Sequence, residues 1–333
     1  MKPYIFLFFF LFVVWCPAAG ATSFIVMFYN VENYFDCSDD TTTNDDDFLP
    51  DGAKQWSAYR MATKRTNIAR VIAAVGEARA PVLVGLCEVE NDAVLRQLVN
   101  YPPLATLRYR YVHYDSPDVR GIDVALLYQP RLFAVLQHRA IPITLSDGSH
   151  SRDVLYVKGV LATTDTLHVM VCHAPSRRGG ENSSAWRRAE AMQVVKATVD
   201  SLLQDNAKAS VLIMGDFNDT PCDSSMCNVL GASLSVTDTI NTSLYNLMDV
   251  HDGTYKYKST WSLFDQFVVS KALLRGNGYV VQHGKAKVYD ASFLVQQDAT
   301  YMGIKPYRTY LGPLYVGGYS DHLPIYLQLQ PAH

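Results

Sequence analysis

Charge of either sign is scarce in this 333-residue chain: 18% of its residues are charged, and 29 Lys and Arg nearly balance 32 Asp and Glu. A net charge of −3 writes no strongly basic nucleic-acid-binding surface into the composition, although it leaves room for a local patch. Cysteine is sparse as well. Of the six, Cys16 lies in the leading segment, and Cys87 and Cys172 sit in apolar runs as small buried side chains. Cys222 and Cys227 flank a loop, where an oxidising compartment would let them pair, though spacing alone does not establish it. No Cys/His grouping has ligand spacing, so structural zinc is not expected. Linkers rich in Pro, Gly or Ser are absent, and so are short internal repeats. Residues 22–333 therefore read as one large domain. With 49% of residues hydrophobic, that domain has the means to bury a sizeable core.

Long apolar runs are missing too, apart from the first. Lys2, the run Ile5–Val14 and the small residues Ala18-Ala19-Gly20-Ala21 have the layout of a secretory signal over residues 1–21. The run is shorter than the roughly twenty apolar residues of a spanning helix. Export to the periplasm or beyond is expected. Lipid anchoring through Cys16 is disfavoured by the bulky Trp15 before it, and no later segment is expected to span a membrane.

What is present is a series of strand-length apolar runs: Phe24–Tyr29, Val82–Leu86, Val124–Tyr128, Val154–Leu161, Leu167–Val171, Val211–Met214, Phe267–Val269 and the closing Leu323–Leu329. Ala58–Val75 and Ser184–Leu203 carry apolar residues at helical spacing. Strands alternating with helices give an α/β fold. Asp39–Asp47 reads as a solvated loop; it lacks the glycine turn and distal Glu of an EF-hand calcium loop. Gly303–Gly318 reads as a long surface loop.

The chemistry is written where strands stop. Phe24–Tyr29 ends in Asn30-Val31-Glu32-Asn33, Val82–Leu86 in Cys87-Glu88, and Leu167–Cys172 in His173, followed by Arg177-Arg178-Gly179-Gly180. Val211–Met214 ends in Gly215-Asp216-Phe217-Asn218, Asp265 opens another strand, and Ser320-Asp321-His322 precedes the last. Polar residues at strand ends gather at one rim of an α/β sheet. Singly, a carboxylate after a strand is more often a helix cap or turn former than a ligand. Six such segments together are hard to attribute to capping.

These motifs, spread from Asn30 to His322, resemble the endonuclease/exonuclease/phosphatase superfamily, which includes pancreatic deoxyribonuclease, abasic-site endonucleases, inositol-phosphate phosphatases and bacterial sphingomyelinases. Gly215–Asn218 and Ser320–His322 are the most specific parts. The resemblance implies a four-layer α/β/β/α sandwich of two packed mixed β-sheets, and hydrolysis of a phosphoester by a water that a divalent metal and an aspartate activate. It implies Glu88 as metal ligand, with Asn30 and Asp321 completing or supporting the site. Mg²⁺ is expected, and Mn²⁺ and Ca²⁺ suit the same oxygen donors. Asp216 would activate the water, and Asn218 would orient it or the phosphate. His322, held by Asp265, would contact a phosphate oxygen as a cation. His173 resembles the histidine on the leaving-group side in the deoxyribonuclease and sphingomyelinase branches, where it can protonate the departing oxygen. Asp123, just before a strand, is the candidate for orienting it. Arg120, Arg177, Arg178 and Arg308 are candidate phosphate ligands, Arg being suited to bidentate contact. The expected substrate is a phosphoester, with nucleic acid foremost and phosphomonoesters or phospholipids on the same scaffold as alternatives; an inactive binding module is a distant third. A monomer is expected.

Overall fold

The computed structural model describes residues 23–76, 79–161, 165–236 and 243–332. The expected signal segment, including Cys16, lies outside the described residues. Two seven-stranded sheets make up the body. The first is ordered Tyr279–Val281, Ile325–Pro331, Phe24–Tyr34, Leu83–Val89, Asp123–Tyr128, Arg110–His113, with Lys287–Val288 also paired to Ile325–Pro331. The second is ordered Phe133–Ile141, Val154–Leu161, Asp165–His173, Ser210–Asp216, Asp265–Ser270, Leu244–Asn246, Ala232–Ser233. Each mixes parallel and antiparallel pairs.

The apolar runs are continuous because their strands are buried on both faces. Side chains alternate across a strand, so Val26 and Phe28 enter the layer between the sheets while Met27 and Tyr29 face outward. Leu212 and Met214 likewise point inward, and Val211 and Ile213 outward. Each fully buried side chain of this kind contributes about 1.5–3 kcal/mol. Gly85 leaves room for the facing sheet: a Cβ there would lie 2.8 Å from the Met214 sulfur.

Two helices cover the outer faces. Ala58–Val75 starts at Ser57, whose side chain accepts the Arg60 N–H, a standard N-cap. It lays Ile68, Ile72 and Val75 on the first sheet. Glu181–Asp205 lays Ala191, Met192, Val195 and Val199 on the second. The layers run α/β/β/α, as the resemblance implied.

Some elements escaped the sequence reading. Phe133–Ile141 is an edge strand whose side chains are mostly exposed, so it shows no apolar run. Gly303–Gly318 is not one loop: it contributes to two short hairpins, Val295–Gln297 with Ile304–Pro306 and Tyr310–Leu311 with Leu314–Tyr315. Gly303 and Gly312 take positive φ at their turns. Tyr310 packs on Tyr315 and Trp56, with ring centroids 5.3 and 6.2 Å away. In the acidic loop Asp45 is buried rather than solvated. Cys87 and Cys172 are buried as expected, while Cys222 and Cys227 are exposed free thiols. No helix among the described residues is long and apolar enough to cross a membrane.

Candidate active site

Strand register brings the motif residues together. In the second sheet His173 and Asp265 are the cross-strand partners of Asp216 on either side. The sheets converge at this end, where Asn30 of the first strand donates its side-chain N–H to Asp216 Oδ2 across 3.0 Å. Asp216 Oδ1 accepts the Asn218 backbone N–H at 2.9 Å. The same Oδ2 lies 3.7 Å from Nε2 of both His173 and His322. One buried carboxylate thus faces two imidazoles and two amides.

Backbone conformation aims the remaining groups. Glu88 sits at a register shift between Cys87 and Val89 with φ +61°. A bulge of this kind re-aims a side chain at the end of a ladder. Its Oε2 accepts the Asn33 N–H at 3.0 Å, and its Oε1 is 4.0 Å from His173 Nε2. Glu32, Asn33 and Asn218 also have positive φ, +53°, +57° and +51°. Left-handed backbone costs a non-glycine residue roughly 1–2 kcal/mol, and Asn adopts it most readily, so Glu32 and Glu88 carry most of the strain at this site.

His322 Nδ1 is 2.7 Å from Asp265 Oδ2, the pairing expected from the resemblance. Burial works against a charge on His322, but the carboxylates of Asp265 and Asp216 outweigh it and raise the pKa well above the usual histidine value. His173 is the opposite case. Burial, then the charges of Arg152, Arg120 and His322, hold its pKa well below the usual value. Two histidines on one carboxylate are thereby pushed apart in protonation, one cationic and the other neutral. Burial also pushes Asp216 up to about 6, with His322 opposing and Asp265 adding.

Several expectations are corrected here. Asp123 does not orient His173. Its Oδ1 accepts from Ser116, and its Oδ2 lies 3.3 Å from His113 Nε2, while His173 Nδ1 is buried with no hydrogen-bond partner. Burial holds His173 towards its neutral form. Arg177 is not free for phosphate: it bonds the Asn218 carbonyl, Asp219, Asp223 and Glu181 and thereby braces the loop that carries Asn218. Arg308 is bound to Glu32 at 3.3 Å and Asp321 at 2.9 Å. Arg178 is exposed and lines a depression together with Arg120, Arg152, Arg187 and His150, adjoining the site. Arg120 remains at the site, bonded to Asn33 and 3.8 Å from Glu88.

Three contributors were missed. Buried Glu32 accepts the Thr309 N–H at 2.6 Å as well as Arg308, and burial, then the Asp321 charge, raises its pKa. Lys64 is fully enclosed and donates to Thr309 Oγ1 and the Tyr319 carbonyl at 2.6 and 2.7 Å. Its pKa falls to about 8 through burial, with Glu32 and Asp321 opposing. Arg152 bonds Asp118 and the Ala174 carbonyl beside His173. Only the polar Glu32 close after a strand end signalled any of this in sequence.

The donor chemistry fits a divalent cation. Glu88, Asp321 and Asn30 present hard oxygens. Glu32 and Asp216 both sit above their usual range, burial being the largest cause, and Asp265 Oδ1 is buried without a partner, which a cation could supply.

Residues 25–331 match the model of the Endonuclease/Exonuclease/phosphatase family. Comparison with curated protein sequences finds no relative. Among solved structures, an endonuclease/exonuclease/phosphatase family protein from Bacteroides thetaiotaomicron aligns with a TM-score of 0.58 at 15% identity, covering 94% of this chain and 99% of that one. D. rerio TDP2 complexed with single strand DNA product aligns at 0.58 and 16% identity, covering 92% and 99%. The human Nocturnin catalytic domain with bound sulfate anion aligns at 0.56 and 13% identity, covering 93% and 95%. Likeness at these identities establishes the fold.

Proposed function

Since the chain belongs to the Endonuclease/Exonuclease/phosphatase family, we propose that it is an exported, divalent-metal-dependent phosphodiesterase that acts on nucleic acid as a monomer. The observation that carries the catalytic reading is Asp216 Oδ2, placed 3.7 Å from both histidines and hydrogen-bonded to Asn30. A carboxylate so placed can position a water and take its proton. Cationic His322, clamped by Asp265, supplies charge to a phosphoryl oxygen where negative charge grows, usually the largest single contribution in such a site. Neutral His173 faces the same space and donates a hydrogen bond to the departing oxygen. Asn218, whose side-chain N–H is held by the Ala174 carbonyl at 3.1 Å, keeps the Asp216 end of the site in register. Glu88 and Asp321, with Asn30 in support, would hold the cation, Mg²⁺ foremost, which polarises the phosphoryl group and lowers the pKa of bound water.

Nucleic acid is favoured among phosphodiesters because a neighbour of the same fold is described with a single strand DNA product. Export is supported by the basic start and apolar run before residue 22. The test is hydrolysis of bis-p-nitrophenyl phosphate, p-nitrophenyl phosphate, plasmid DNA and sphingomyelin with Mg²⁺ or EDTA, the Asp216→Ala protein beside wild type. Metal-dependent cleavage of the diester and DNA, lost in the variant, is expected. Preference for the monoester or for sphingomyelin would move the enzyme to another branch, and no cleavage at all would refute the catalytic reading.

A further inference from the structure

The second sheet has an outer face that its helix does not finish covering. Glu181–Asp205 packs over Tyr156, Met170, Val211 and Ile213 and then ends. Beyond it lies an open groove of about 960 Å³. Its floor is formed by alternate residues of three adjacent strands, Gln137 and Arg139, Lys158, and Thr166 with His168. One wall is the turn after the helix, and the other is the segment that begins at Lys271.

Among the described residues, Arg139, Lys158, Lys208 and Arg275 line this groove, with Lys271 at its wall, against the one carboxylate of Asp205. In a chain whose net charge is −3, these four cations, Lys271 left aside, facing one anion are a marked local excess. A helix C-terminus attracts a cation, which accounts for Lys208 but not for Arg139, Lys158 and Arg275 from other elements. Internal pairing accounts for part of the rest: Arg275 donates to the Val236 carbonyl and Arg139 lies 5.2 Å over the Tyr156 ring, and neither contact neutralises charge. Asp205 forms no ion pair across the groove among the described residues.

The aromatics are equally informative. Tyr156 is buried, and its hydroxyl is 2.8 Å from His168 Nδ1, so neither ring lies open for a base to stack upon. The groove offers charge without a stacking platform. Such a surface reads phosphates rather than bases.

The groove also lies apart from the reactive end. Ser210 at its edge and Asp216 in the site bound one strand of seven residues, about 20 Å of extended chain.

We propose that this groove is a second binding site, for the sugar-phosphate backbone of a polynucleotide, which holds the polymer away from the reactive end without regard to sequence. It rests on the nucleic-acid reading given under Proposed function. The experiment uses the full-length Asp216→Ala protein in EDTA, with a fluorescent single-stranded 20-mer as probe, and compares it with the same protein carrying Lys158→Gln and Lys208→Gln. Two lost phosphate contacts make the slope of log affinity against log salt shallower by about 1.4, and the affinity is expected to fall at least tenfold at low salt. The same pair of changes in the otherwise wild-type enzyme is expected to leave bis-p-nitrophenyl phosphate hydrolysis within twofold. Unchanged oligonucleotide affinity and slope would overturn the proposal. So would retained oligonucleotide affinity combined with lost binding to phosphatidylglycerol vesicles, which would assign the groove to a lipid surface. Failure of the wild-type enzyme to cleave the small diester would sink the catalytic reading instead, and oligonucleotide binding in EDTA is independent of that result.

Discussion

Replacing Asp265 by Asn tests the electrostatic core of the mechanism, because the change keeps the shape and removes one charge. The His322–Asp265 contact is 2.7 Å and both residues are buried. Opposite unit charges near 4 Å attract by about 4 kcal/mol at an effective dielectric of 20. Part of the lost attraction is recovered because His322 then sheds its proton rather than remain an unpaired buried cation. A net loss of about 3 kcal/mol in transition-state stabilisation is a rate decrease of roughly a hundredfold to a thousandfold, the scale of removing one preorganised donor. The pH profile separates this cause from misfolding. In wild type the pKa of His322 is well above the usual histidine value, so its cation, and the stability it contributes, persists through neutral pH and is lost only as pH rises through that elevated value. In Asp265→Asn the same loss should come at or below neutrality. The assay is kcat for bis-p-nitrophenyl phosphate from pH 5 to 10, with circular dichroism to show a folded variant. A drop smaller than tenfold, or an alkaline limb that does not move, would refute the argument.

Four further outcomes are expected. Asp216 is pushed up to about 6, so at low metal the rate should fall as pH drops through 6 and the base is protonated; saturating Mg²⁺ should move that limb lower, and a limb that stays fixed would separate the metal from Asp216. Mg²⁺ at a hundred times its Kd should stabilise the wild-type protein by about 2.7 kcal/mol, read as a rise in Tm, and Glu88→Gln should abolish most of that rise. Arg177→Ala should lower stability by about 2–3 kcal/mol through lost charge-assisted bonds while KM for the small diester stays within threefold; a tenfold rise in KM would restore Arg177 as a phosphate ligand. Asp123→Asn should leave kcat within threefold, since Asp123 faces His113 and not His173, and a hundredfold loss would contradict that geometry.

The parts of the site legible in the sequence were those in which residue type and strand end coincide. Asp216, Asn218, Asp265 and His322 follow or open apolar runs; sheet register pairs Asp216 with Asp265, and Asn218 and His322 reach them by hydrogen bonds. Asp123 was misread because its partner depends on register across strands. His113 pairs with Ala125, so Asp123, two residues away on the same face, becomes its diagonal neighbour. Arg177 and Arg308 illustrate a different limit: an arginine near a motif reads the same whether it awaits a phosphate or is already bound by carboxylates. Lys64 was invisible because it occupies a helix whose polar positions look solvated until the Tyr307–Tyr319 segment folds over it. The edge strand Phe133–Ile141 had no apolar pattern because little of it is buried.

The four left-handed residues that surround the site, Glu32, Asn33, Glu88 and Asn218, bear on how this enzyme can change over time. Each holds left-handed backbone in place of a relaxed one, most costly at Glu32 and Glu88, so on the proposed hydrolytic reading the scaffold gives up some stability to shape the site. A lineage freed from selection for hydrolysis would gain stability by replacing these residues first, leaving the strands and the central layer as they are. Descendants that keep the sandwich but bind rather than cleave should therefore betray themselves by glycine, or by a shortened turn, at these positions before the core shows any drift.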